Sequence, residues 1–261
     1  MIFDSHAHYD DDAFDADREN LLNSLINNNV KYIVNVSSNY NSIYSTLDLC
    51  NSYDFIFGAL GIHPSDSGEL TEKEFTEIEN LLNHKKIVSV GEIGLDYHYD
   101  TPSPEIQKKW FSYQINMAKR AKLPLIIHSR DAAKDTYDIM VVENAKETGG
   151  VIHCYSYSVE MARDYLNLGY YIGVGGVVTF KNAQKLKDVV KYTPLDRIVI
   201  ETDCPYLSPT PFRGERNSSN NLPYVIEKIA EIKETSIEEV EKITFENALE
   251  LYNLKGLLCQ N

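Results

Sequence analysis

The 261-residue chain is short of cysteine, of positive charge and of long apolar runs, and each shortage removes a class of protein. Its four cysteines, Cys50, Cys154, Cys204 and Cys259, are scattered with no C-x-x-C pair. That argues against a disulfide frame and suits reduced thiols in a cytoplasmic protein. Only 25 Lys and Arg stand against 39 Asp and Glu, a formal net charge of −14. A broad electrostatic footprint for nucleic acid is therefore disfavoured. A polyanion gripped locally by metal ions is not, because bound cations invert the field where they sit. No run approaches the ~20 apolar residues of a membrane helix, and no basic segment leads into an apolar one at the N-terminus, so no secretory signal is expected. Repeats, low-complexity tracts and Pro/Gly/Ser-rich linkers are also missing, which points to one domain over 1–261. The hydrophobic content of 43% suffices for a sizeable core, and the length suits an α/β barrel of roughly 250 residues.

Short apolar runs rich in β-branched and aromatic residues alternate with longer amphipathic stretches. The strands are expected at Ile2-Phe3, Tyr32 to Val36, Phe55 to Leu60, Ile87 to Val90, Leu125 to Ile127, Val151-Ile152, Tyr171 to Val174 and Ile198 to Ile200. Helical patterns include Arg18 to Asn27, Glu72 to Leu82, Glu105 to Ala121, Val159 to Leu168, Leu222 to Lys233 and Ile237 to Leu254; Thr71…Glu74 and Ser236…Glu239 have capping-box spacing. Strands alternating with helices imply a parallel sheet, and eight strands close a TIM-like (β/α)8 barrel; an open doubly wound sheet is the rival. Ser208 to Asn221 is the one long irregular stretch, a length more often functional than idle.

The residues that follow the strands carry the chemistry. His6 and His8 follow the first, His63 the third, Glu92 the fourth, His128 and Arg130 the fifth, His153 the sixth and Asp203 the eighth. In a parallel barrel these positions share the face on which active sites are built. The i, i+2 spacing of His6 and His8 in extended chain puts both imidazoles on one side. Buried imidazoles and carboxylates are costly unless paired or metal-bound. Four histidines (His6, His8, His128, His153) with Glu92 and Asp203, and no cysteine, suit Zn²⁺, Mn²⁺ or Mg²⁺. Six ligands are too many for one tetrahedral ion but suit two divalent ions per chain sharing a carboxylate, for which Glu92 is the candidate. Asp203 either binds an ion or acts as general base on the water, so Glu92 and Asp203 are the catalytic candidates. Arg130 either clamps a phosphate bidentately or pairs with a carboxylate such as Asp131 or Glu92. Arg213 and Arg216, in the long loop, are candidates for substrate contact or solvated loop residues. Cys154 and Cys204 adjoin ligands but in an extended chain would point away from them, and Glu201 shares the side of Asp203.

Six segments in order resemble the TatD family of metal-dependent deoxyribonucleases, within the wider metal-dependent hydrolase superfamily. They are Asp4-Ser5-His6-Ala7-His8, Gly61-Ile62-His63-Pro64, Gly91-Glu92-Ile93-Gly94-Leu95-Asp96-Tyr97, Ile127-His128-Ser129-Arg130, His153-Cys154-Tyr155-Ser156 and Glu201-Thr202-Asp203-Cys204-Pro205-Tyr206-Leu207. The resemblance implies a TIM-like barrel, one ion on His6, His8, Glu92 and Asp203, and another on Glu92, His128 and His153. It also implies hydrolysis of DNA, often exonucleolytic, with His63 near the substrate; the DNA partner is expected to be single-stranded rather than duplex. Three positions depart from the family pattern: Tyr157 stands for the usual Gly, Cys204 for Ala, and Glu215 for a cation of the late loop. A second reading is a hydrolase of cyclic amides or lactones on the same scaffold. Many two-metal relatives of that kind use a carboxylated lysine where this chain has Glu92. A third is a scaffold protein with a residual metal site, which the six intact ligand positions oppose.

Overall fold

The computed structural model describes residues 1–68, 70–99 and 101–256; Cys259 lies outside the described residues. All eight apolar runs are strands: β1 (Ile2–Ala7), β2 (Val30–Val36), β3 (Ile56–Leu60), β4 (Ile87–Asp96), β5 (Leu125–Arg130), β6 (Gly150–Ile152), β7 (Tyr171–Val174) and β8 (Ile198–Ile200). They pair in parallel in chain order. The ring is drawn shut between β1 and the chain just past β8. There Ala7 bridges Cys204, the His8 amide donates to Cys204 O at 2.9 Å, and the Asp203 amide donates to His6 O at 3.0 Å. The fold is a (β/α)8 barrel, not an open sheet.

Strand alternation explains why both faces are apolar. Phe3, Val34, Phe57, Val88, Ile126, Val151, Tyr171 and Val199, one from each strand, form one buried cluster. Their sequence neighbours Ile2, Ile33, Ile56, Ile87, Leu125, Ile152, Ile172 and Ile198 belong to the other, under the helices. A strand covered on both faces must be apolar at consecutive positions. The helices are α1 (Arg18–Leu25), α2 (Tyr40–Ser52), α3 (Glu72–Leu81), α4 (Pro104–Ala121), α5 (Ala133–Val142), α6 (Val159–Asn167), α7 (Gln184–Tyr192), α8 (Leu222–Lys233) and α9 (Ile237–Leu251). At Thr71 the Glu74 carboxylate accepts both the N-cap amide at 2.7 Å and the Thr71 hydroxyl at 2.9 Å. At Ser236 only the hydroxyl half is present, accepting from the Glu239 amide at 3.1 Å. Phe245, Ala248 and Leu249 of α9, with Tyr252 just past it, complete the inner cluster; the Tyr252 hydroxyl donates to Ser5 O at 2.8 Å. This helix plugs the end of the barrel where strands begin and leaves the opposite mouth open.

Three strands run further than their apolar runs. β1 continues through His6, β5 through His128 and Arg130, and β4 through Glu92 to Asp96. Gly94 pairs with His128 and Asp96 with Arg130 along the β4–β5 ladder. His6, Glu92 and His128 are therefore strand residues facing the barrel mouth, not residues of the loops beyond it. Among the described residues no helix is long and apolar enough to cross a membrane.

Candidate metal centre

The Glu92 carboxylate is the hub of the mouth. Its Oε2 lies 3.5 Å from His6 Nε2 and 3.8 Å from His8 Nε2. Its Oε1 lies 2.7 Å from His128 Nδ1, 3.6 Å from His153 Nε2 and 4.0 Å from His63 Nε2. Asp203 Oδ1 stands 3.4 Å from His8 Nε2, 3.7 Å from His153 Nε2 and 3.8 Å from His6 Nε2. The structure thus brings together all six sequence-derived ligand candidates, and it adds His63 on the Glu92–His128 side.

These donors fit a divalent cation. Ligands about 2.1 Å from a tetrahedral ion stand about 3.4 Å from each other. The spacings of His6 and His8 Nε2 from each other, from Glu92 Oε2 and from Asp203 Oδ1 run from 3.0 to 3.8 Å. His8 Nδ1 lies 2.7 Å from Val36 O, so a neutral His8 donates there and presents a bare Nε2. That nitrogen faces His6 Nε2 at 3.0 Å, a separation that needs a proton or a cation nearby. One more ring is oriented by a carboxylate on its outer nitrogen, His128 Nε2 lying 3.1 Å from Asp96, while His153 Nδ1 lies 3.2 Å from Glu201. The His153–Glu201 pair is close but poorly aligned: neither atom has a hydrogen-bond partner, and nor does His6 Nδ1.

Burial and charge set the titration of the cluster. Burial would raise Glu92 and Asp203, but His153 and the imidazoles around it more than offset that and hold both carboxyls below the usual range. Burial would lower the histidines. Asp203 and Glu92 instead lift His8 to about 9, Asp96 and Glu92 lift His128 to about 8, and Glu201, Asp203 and Glu92 lift His153 to about 10. Burial and His128 push His63 down to about 3, so it is a neutral imidazole. A histidine whose folded pKa is raised contributes stability that is complete below its unfolded value of about 6.5 and is lost as pH rises through the folded value. The melting temperature of metal-stripped protein in chelator should therefore fall between pH 6.5 and 10. Added Mn²⁺ or Zn²⁺ should stabilise more as pH rises, because the ions compete with those protons. Calorimetry across this range checks both slopes, and a flat metal-free profile would count against the charge cluster.

Supporting residues explain how the loops hold this geometry. Glu201 is buried beside Gly173, where a Cβ would come within 2.6 Å of Oε2, so glycine makes room for the carboxylate behind His153. Glu201 Oε1 also accepts the Cys154 amide at 2.6 Å. Cys154 has a φ of 45°, in the left-handed region, and this turn overturns the expectation that its side chain points away. Its Sγ lies in a group with His153 and Asp203 whose donor atoms are within 4.8 Å of one another. Cys204 does pack into the core. Asp203 has a φ of 56°, a conformation that Asp tolerates better than most residues. The long loop supports that turn: Ser219 Oγ donates to Asp4 at 2.7 Å, Asp4 accepts the Thr202 amide at 3.0 Å, and Asn217 donates to Thr202 O at 2.9 Å. Sequence reasoning gave no role to Asp4 or Asp96. The even spacing of Asp96 from Glu92 along one strand was the available signal.

The centre floors a cleft of about 860 Å³. Arg130 lines it and, among the described residues, pairs with no carboxylate. Asp10, Asp11, Asp12 and Asp66 make the rim acidic. The two loop arginines are not brought to the cleft. Arg216 forms a bidentate pair with Asp17 at 2.6–2.7 Å and lies over Phe14, and Arg213 lies over the Phe180 ring at 4.4 Å. A bidentate acceptor in reach outcompetes solvent for a guanidinium, so Arg216 is occupied before any substrate arrives.

The family model described as TatD related DNase matches residues 3–253. YabD of Bacillus subtilis, described as an uncharacterized metal-dependent hydrolase, is 44% identical over 97% of this chain and 100% of its own length. YcfH of Escherichia coli, described in the same words, is 33% identical over 100% of this chain and 99% of its own. The crystal structure of YjjV, a TatD homologue from E. coli, superposes with a TM-score of 0.91 at 30% identity, covering 97% of this chain and 98% of that one. Family model, relatives and structure agree along nearly the whole length, and the chain belongs to the TatD family of metal-dependent hydrolases.

Proposed function

We propose that this protein hydrolyses phosphodiester bonds of DNA, working from the end of a single strand, with two divalent ions in the mouth of the barrel. The observation that carries the reading is the placement of Glu92, whose Oε2 faces His6 and His8 and whose Oε1 faces His128 and His153. His6, His8, Glu92 and Asp203 would hold one ion, and Glu92, His128 and His153 the other. Bound divalent ions supply Lewis acidity at a phosphoryl group and make water a usable nucleophile near neutral pH. The chain's own residues do the rest. Asp203, held ionised by His153 and His8, is the carboxylate more open to the cleft, which supports it as the group that takes a proton from the attacking water. His63 is neutral and adds no charge where a substrate oxygen would lie. Arg130 is the cleft cation and binds a phosphate. An acidic rim with one arginine suits one phosphate row better than the two of a duplex. The free thiols Cys50, Cys154 and Cys204 fit a reducing compartment such as the cytoplasm.

Reconstituted protein should hold close to two Mn²⁺ or Zn²⁺ per chain by elemental analysis. The same titration should switch on cleavage of end-labelled single-stranded DNA, one nucleotide at a time. Trace metal only, or cleavage indifferent to chelation, would sink the two-ion reading. Turnover of lactones or cyclic amides with no attack on DNA would replace the substrate assignment.

A further inference from the structure

Arg130 leaves β5 on a tight turn in which Asp131 takes a left-handed φ of 55°. Helix α5 begins straight after it, with Ala132 as N-cap and so no side-chain acceptor of its own. Asp135, three residues on, is the position from which an acidic side chain can take the N-cap amide in a capping box. Its carboxylate is engaged elsewhere, by the Tyr97 hydroxyl at 2.8 Å and Lys108 at 2.6 Å. The Ala132 amide donates instead to the Tyr157 hydroxyl at 3.2 Å. The same hydroxyl lies 3.0 Å from Ser129 Oγ, which lies 2.8 Å from Thr136 Oγ1. One phenol oxygen, reaching over from the loop after β6, fastens both ends of the turn that presents Arg130.

We infer that Tyr157 is a positioning residue for substrate binding: its hydroxyl holds the 129–132 turn so that the Arg130 guanidinium faces a substrate phosphate. Little else holds Arg130. No carboxylate pairs with it among the described residues, and the ring of Tyr99 is 5.8 Å away. A long, exposed side chain that must meet a phosphate in a fixed plane depends on the backbone that carries it. The inference rests on the phosphodiester reading above.

Tyr157→Phe keeps the ring, with its edge-on contact to Tyr155 at 6.1 Å, and removes only the hydroxyl. In metal-loaded protein it should raise KM for a single-stranded oligonucleotide roughly three- to tenfold, the range for losing one such hydrogen bond, and change kcat less than about twofold. It should also weaken anisotropy-monitored binding of the oligonucleotide by the same factor. Arg130→Ala should raise KM further and lower the salt slope of binding by about one. On the Arg130→Ala background, Tyr157→Phe should add nothing, because the residue it positions is gone. Additive effects in the double variant, or a loss confined to kcat, would overturn the brace while leaving Arg130 as phosphate ligand. If Arg130→Ala alone leaves KM, binding and salt slope unchanged, the phosphate contact is wrong and the inference falls with it. A wild type that neither binds nor cleaves the oligonucleotide would remove the underlying reading as well.

Discussion

Glu92→Gln is expected to lower kcat at least about a thousandfold on every substrate and to reduce bound metal from two ions per chain toward one. Glutamine has the shape of glutamate, so the barrel should still fold. What changes is that one oxygen becomes an N–H₂ donor and the charge is lost. Whichever way the amide turns, it offers a proton-bearing nitrogen either to the His6–His8 side or to the His128–His153 side, where Glu92 now presents oxygens at 2.7–3.8 Å. The metal-free protein should register the same loss. His128 and His153 owe part of their raised pKa to Glu92, so both should titrate lower in the variant, measurable by NMR. Retention of two ions with wild-type affinity, or full activity, would rule out Glu92 as the shared ligand.

The contrast between Glu92 and Asp96 shows how far a sequence can be read here. The barrel was legible because strands buried on both faces need apolar residues at consecutive positions, and Ile2-Phe3 or Ile198-Val199 could be recognised from that alone. The histidines and Glu92 gathered at the mouth were legible as a cluster because polar groups directly after such runs have few other reasons to be there. Strand ends were not: the apolar signal stops at Val90, while the hydrogen-bonded ladder runs on to Asp96. Residues whose role depends on a distant partner were hidden as well. Asp96 matters through His128 on the next strand, and Asp4 through Thr202 and Ser219 across the ring closure. Arg216 was open in the same way, between substrate contact and solvation, since neither its loop nor its charge reveals that Asp17 lies within bidentate reach. Cys154 escaped because period-two alternation holds only in extended chain, and the chain there turns left-handed.

Asp203→Asn should lower kcat by about a hundred- to ten-thousandfold, the span typical of losing a general base, and saturating metal should not restore it. Asn tolerates the left-handed backbone at position 203 as well as Asp does, so the turn held by the Asp203 amide on His6 O should survive. An amide oxygen can still bind a cation, but it is far too weak a base to accept a proton from water near neutral pH. The two roles of Asp203 therefore separate in one variant. Exposure favours the general-base role: its side chain is 17% exposed against 6% for Glu92, so Asp203 would be the carboxylate that an attacking water meets from the cleft. The variant should regain activity as pH rises, because hydroxide needs no base, while wild-type activity levels off. Metal affinity should weaken modestly through the lost charge, readable by calorimetry apart from turnover. If excess Mn²⁺ or Zn²⁺ restores wild-type kcat at neutral pH, Asp203 serves only to hold an ion, and the proton must leave the water by another route.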